Sequence, residues 1–65
     1  MIKRKNQIDG YIIYQIGNRG CCYNPSLKFW ELYEMDEEGT IQDNVGNRAT
    51  KAQAMAWIWK SDSKE

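Results

Sequence analysis

No histidine occurs among the 65 residues of this chain; proline occurs once and cysteine twice. Without histidine, the usual general base near neutral pH is missing, and so is the commonest neutral metal ligand. Two cysteines cannot complete a four-ligand zinc site, nor can they build the dense disulfide framework of small secreted scaffolds. No uninterrupted apolar run approaches the ~20 residues needed to span a bilayer. Met1-Ile2-Lys3-Arg4-Lys5 carries the charge of a signal-peptide start, but no apolar stretch follows it. A cytoplasmic chain with reduced thiols, holding neither cofactor nor metal, is the expectation. Net charge is also lacking, because 9 basic and 9 acidic side chains cancel.

Aromatic and β-branched bulk is what the chain has. Three tryptophans, four tyrosines and one phenylalanine make up 12% of the residues. Each large ring can bury roughly 150–250 Å², and seven isoleucines add stiff side chains that favour strands. A chain this short buries only about 60% of the surface it exposes when unfolded. The composition therefore suits a thin sheet under one helix, in a single domain spanning residues 1–65. One such core is too small for three tryptophans, and a homodimer is one ordinary way to cover the surplus.

Residues 1–9, with Lys3, Arg4 and Lys5, read as a polar basic arm, and Asp9-Gly10 as a turn. Tyr11 to Ile16 reads as a strand, with Ile12, Tyr14 and Ile16 on one face and Tyr11, Ile13 and Gln15 on the other. Gly17-Asn18-Arg19-Gly20 ends it, and Cys21 to Ser26 reads as an irregular connection.

Residues 27–38 fit two patterns. As a helix, Phe29, Trp30, Leu32 and Tyr33 share a face; as a strand, Trp30 and Leu32 point one way and Phe29, Tyr33 and Met35 the other. Two features favour the strand. Asp36-Glu37-Glu38-Gly39 makes a four-residue hairpin loop, and Thr40 to Val45 alternates as a half-exposed edge strand would. Thr50, three residues before Gln53, is a capping-box start for a C-terminal helix that lies on the sheet through Ala54 and Ile58. Residues 61–65 read as a frayed tail. The expected architecture is α+β: a three-stranded antiparallel sheet packed on one C-terminal helix, βββα in two layers.

Chemistry-bearing groups are few. Adjacent Cys21 and Cys22 lack the two-residue spacer of a redox pair and read as ordinary thiols. Carboxylates are available in pairs, but a chain this short rarely encloses the concave pocket that would push their pKa values apart, and their spacing fails the calcium-loop pattern. The chain reads as no enzyme.

Charge is segregated nonetheless. Lys28 to Asp43 holds one basic against six acidic side chains, which leaves the remainder basic by the same margin. Trp57 and Trp59 splay about 200° apart on a helix, so one of them faces outward. The first functional expectation is a non-catalytic binding module acting by protein contact. Its surface would be Trp59 with Glu31, Glu34, Glu37 and Glu38, since tryptophan is enriched at interface hot spots. The alternative is a nucleic-acid-binding domain using Lys3, Arg4, Lys5, Arg19 and Arg48, with Tyr11 or Tyr14 available for stacking.

Thr50-Lys51-Ala52-Gln53-Ala54-Met55-Ala56-Trp57 resembles the T-K-x-x-A-x-x-W opening of the helix in the arm-site DNA-binding domains of phage-type tyrosine recombinases. That resemblance implies a three-stranded sheet on a C-terminal helix, with the sheet entering a DNA groove. The likeness covers eight residues. The catalytic domain of those enzymes has no counterpart in this sequence, and the second hairpin is acidic where DNA contact would need bases. In size and style the chain also resembles the accessory proteins of phages and prophages, which implies an accessory or inhibitory role.

Overall fold

The computed structural model describes residues 1–6 and 10–61. Among them are five strands and one helix: β1 (Ile2–Lys5), β2 (Ile12–Ile16), β3 (Arg19–Asn24), β4 (Phe29–Met35), β5 (Ile41–Arg48) and α1 (Lys51–Trp59). The strands form one antiparallel meander in sequence order, β1-β2-β3-β4-β5. This corrects the expected three-stranded sheet; the βββα layout has too few strands. No helix among the described residues is long and apolar enough to cross a membrane.

The two extra strands come from segments with weak strand signals. β1 lies inside the stretch read as a polar arm. Its one isoleucine among three cations is exposed at the sheet edge, where a charged, half-solvated strand is stable and discourages further pairing. β3 straddles the end of the stretch read as the Gly17–Gly20 turn and the start of the one read as an irregular connection. Its Arg-Gly-Cys-Cys-Tyr-Asn sequence is poor in β-branched residues, yet Gly20, Cys21 and Cys22 are buried between β2 and β4. Gly20 is glycine because the Met35 sulfur occupies the space a Cβ would need.

Residues 29–35 are the strand, not the helix, and the alternation is as read: Trp30 pairs with Tyr23 and Leu32 with Cys21 on the helix side. The loop after it closes at Gly39, whose φ of 93° only glycine adopts easily. β5 is the expected edge strand, extended to Arg48. Two register shifts bulge it, leaving Gln42 and Val45 without partners on β4 and bending the strand.

Helix α1 begins where expected. The Thr50 Oγ1 accepts from the Gln53 N–H at 3.2 Å, and Ala54 and Ile58 are the buried residues that seat the helix on Cys21 and Leu32. On the opposite face of the sheet Ile13, Cys22, Tyr33 and Met35 form a second, smaller core. Gln15, read on the partly polar face of β2, is buried there. Its Oε1 accepts from Arg4 Nε at 2.8 Å, and its Nε2 donates to the carbonyls of Gly17 at 2.9 Å and Asp36 at 2.8 Å. Arg4 Nη2 donates to the Glu37 carbonyl at 3.0 Å. One side chain thus ties β1, the β2–β3 turn and the residue after β4 together. Ser61 is not frayed: it is buried, and its hydroxyl donates to Asn18 Oδ1 at 3.0 Å. The rest of the expected tail, 62–65, lies outside the described residues.

Candidate nucleic-acid interface

Alternation along three neighbouring strands brings aromatic side chains to one end of the helix-side face. Tyr14 is two residues from Ile12 and Ile16 on β2, and Tyr23 stands directly opposite Trp30 across β3 and β4. Tyr11 precedes β2 with the parity of Ile13, not of Tyr14, and joins the group by ring contact alone; its carbonyl accepts from the Asn6 N–H at 2.8 Å. The rings touch in a chain. Tyr11 and Tyr23 centroids are 5.9 Å apart, Tyr23 and Trp30 5.6 Å, and Trp30 and Tyr14 6.2 Å, all at tilted angles. Tyr14 and Trp30 rest partly on the core of Cys21, Leu32, Ala54 and Ile58, while Tyr11 is 41% exposed. The arc is therefore half-buried at Tyr14, Tyr23 and Trp30 and exposed at Tyr11.

Cations surround it. Lys3 pairs with Tyr14 and Lys5 with Ile12, so both lie on this face of β1; the Lys3 ammonium is 6.0 Å from the Tyr14 ring centroid. From the other side, Lys51 at the start of α1 sits 4.9 Å from the same centroid, its Nζ donating to the Tyr14 hydroxyl at 3.3 Å. Arg48 stands opposite Trp30 on β5 and is exposed. No carboxylate faces the arc among the described residues: Glu31 points to the other face, and Glu34 and Asp43 pair at the far end of β4 and β5.

Of the five basic residues read as a nucleic-acid set, three converge here: Lys3, Lys5 and Arg48. Arg4 is on the opposite face, held by Gln15 and the Glu37 carbonyl. Arg19 is occupied at the other end of the sheet, its guanidinium 4.5 Å over the Trp57 ring and Nη1 donating to the Trp57 carbonyl at 2.9 Å. Tyr23, Trp30 and Lys51 were not singled out for this site by sequence. Their signal was the shared parity of Tyr23 and Trp30, which is legible only once β3 is known to be a strand.

The acidic set does not form one surface. Glu31 is on the face away from the helix, accepting from the Tyr33 hydroxyl at 2.7 Å. Glu34 is on the helix-side face, lining a shallow 250 Å³ cleft with Asn18, Arg19, Val45 and Trp57. Glu37 and Glu38 are exposed in the β4–β5 loop, and Trp59 is 63% exposed near the end of α1. Asp36 organises that loop: its carboxylate accepts from the N–H groups of Thr40 at 2.8 Å and Glu38 at 2.9 Å, and from Gln42 Nε2 at 3.1 Å. These bonds, led by the Thr40 N–H, hold the Asp36 carboxyl below its ordinary pKa.

Cys21 and Cys22 are free thiols, both buried, on opposite faces of β3. Burial, reinforced by neighbouring Cys22 and opposed by Lys51, pushes the Cys21 thiol up to about 11. At neutral pH it is a small apolar group packed under the helix. Among the described residues no three His, Cys, Asp or Glu side chains gather where a metal ion could sit. Comparison with protein-family models, with curated proteins and with solved structures finds no match to this chain.

Proposed function

We propose that this chain is a small, non-catalytic nucleic-acid-binding module of the cytoplasm, working through the aromatic arc and its ring of cations. The observation supporting it is the coincidence on one face of Tyr14, Tyr23 and Trp30, with Tyr11 in ring contact with Tyr23 at their end, and of Lys3, Lys5, Arg48 and Lys51, with no opposing carboxylate among the described residues. Net neutrality of the chain does not oppose this reading, because the acids are gathered elsewhere and screening confines each charge to its neighbourhood. Phosphates would meet the cations, and bases the rings.

Fluorescence anisotropy of labelled oligonucleotides at graded salt tests it. Four neutralised phosphates give a log–log slope of about −3, at roughly 0.7–0.9 per phosphate. Arg48→Ala or Lys5→Ala each reduces that slope by about one unit. Absence of binding well below physiological salt would overturn the proposal.

A second reading is favoured by the exposure of Trp59, which nothing in the sheet needs: an accessory or inhibitory protein contact, a second copy of the chain included. Under that reading Trp59→Ser lowers the solution mass of the particle, or abolishes capture of a protein partner, without changing the affinity for oligonucleotides.

A further inference from the structure

We infer that the arc formed by Tyr11, Tyr23, Trp30 and Tyr14 is a stacking platform for the unpaired bases of single-stranded nucleic acid, not a reader of duplex grooves. The inference rests on the nucleic-acid reading above and narrows it to one class of ligand.

The geometry separates the two modes. A duplex turns phosphates outward and presents only base edges in its grooves, which are read by hydrogen-bonding side chains carried on a helix or a two-stranded ribbon. This face carries a contiguous group of aromatic rings instead, drawn from β2, β3, β4 and the residue before β2, with Tyr11 exposed and Tyr14, Tyr23 and Trp30 half-buried. The neighbouring part of the same face is covered by α1 through Ala54 and Ile58, so no helix or ribbon stands free there to enter a groove. The opposite face offers no substitute, since Ile13, Cys22, Tyr33 and Met35 are buried there and Arg4 is already engaged. A flexible single strand, by contrast, can lay its bases one by one on tilted rings while its phosphates reach flanking lysines.

The rings are also built to hold position. Tyr14 is held by Lys51, Trp30 by the core beneath it, and Tyr23 by contact with rings on both sides. Tyr11 is the most exposed of the four and closes the end of the arc, so it is the ring a ligand meets with least rearrangement. The cations divide between the two flanks, Lys3 and Lys5 on β1 and Arg48 on β5, which suits a backbone running along either side of the stacked bases.

The experiment compares short oligo-dT, oligo-rU and a mixed-sequence duplex on the intact chain. Trp57→Phe with Trp59→Phe leaves Trp30 as the single tryptophan reporter, and the native chain with Tyr11→Leu or Tyr11→Phe serves where that double variant folds poorly. Stacking quenches Trp30 fluorescence and gives single strands the advantage over duplex. Tyr11→Leu then weakens single-strand binding roughly 5- to 150-fold, as expected for one lost base–ring stack, while Tyr11→Phe retains it. Duplex binding as tight as single-strand binding, with Trp30 unquenched and Tyr11→Leu silent, overturns this inference and leaves the nucleic-acid reading standing. Failure of all three ligands to bind at low salt removes both.

Discussion

At the scale of single residues, the most consequential side chain is one that looks misplaced. Gln15 is 1% exposed in the middle of β2, and an apolar residue would satisfy the strand's alternation better. It is retained because three groups on different elements depend on it: the Arg4 guanidinium and the carbonyls of Gly17 and Asp36. Gln15→Leu keeps the volume and removes all three bonds, leaving Arg4 only the Glu37 carbonyl and the Asp36 carbonyl only the Gly39 N–H, which costs roughly 1–3 kcal/mol. For a chain of 65 residues with a total stability of about 3–10 kcal/mol, that is a large fraction. Urea titration measures it, and a loss below about 1 kcal/mol would show that water replaces the bonds. Cys21 gives a complementary prediction. Its folded-state pKa lies above the unfolded value near 9, so the folded chain holds the proton longer. The stability this contributes is complete below about pH 9 and is lost as pH rises towards 11. The stability advantage of the native chain over Cys21→Ala should therefore shrink by roughly 1–2 kcal/mol between pH 8 and 10.5.

At the scale of elements, the hairpin of β4 and β5 depends on its loop. Asp36 accepts two backbone N–H groups and one amide, and its carboxyl is held below the ordinary range mainly by the Thr40 N–H. A depressed pKa contributes stability above the unfolded value near 4, and loses it as pH falls through the folded value. Asp36→Ala should lower the melting temperature at pH 6 and flatten the acid side of the pH profile, narrowing the gap to the native chain by pH 3. Unchanged parallel profiles would place the acid sensitivity elsewhere. This hairpin was legible from sequence because its loop chemistry outweighed an equally plausible helical wheel for Phe29 to Met35. The helix was legible for a related reason: Thr50 and Gln53 mark its start, and Ala54 and Ile58 mark its buried face. What escaped were β1 and β3. Ile2–Lys5 has one apolar residue in four, so no period-2 pattern can show, and its pairing with β2 supplies the strand. Arg19–Asn24 shows a glycine where a strand former is expected, and only the packing of Met35 against Gly20 explains it. With β3 hidden, Tyr23 and Trp30 could not be seen to stand opposite each other, and the site was read from its tyrosines on β2 alone.

At the scale of the whole molecule, the meander sorts charge along its strands. The end bearing Tyr23, Trp30 and Arg48 is basic, and the end bearing Glu34, Asp36, Glu37, Glu38 and Asp43 is acidic, on a particle 35 Å long. Met35 is five residue steps along β4 from Trp30, about 17 Å at the rise of a strand. The tip carboxylates therefore lie roughly 20 Å or more from the rings. At that distance a pair of unit charges in water interacts by only about 0.2 kcal/mol before screening. Glu37→Lys with Glu38→Lys changes the tip by four units of charge, so its effect on a strand of several phosphates depends almost wholly on salt. At about 0.01 M, where the Debye length is ~30 Å, the double variant should bind oligonucleotide several-fold tighter, by roughly 1 kcal/mol. At physiological salt, where that length falls to ~8 Å, the gain should shrink below about twofold. Anisotropy titrations at the two salt concentrations decide it. A large change that persists at physiological salt would mean that the acidic loop touches the ligand directly. The binding surface would then have to be redrawn to include the end of the sheet that Gln15 and Asp36 hold closed.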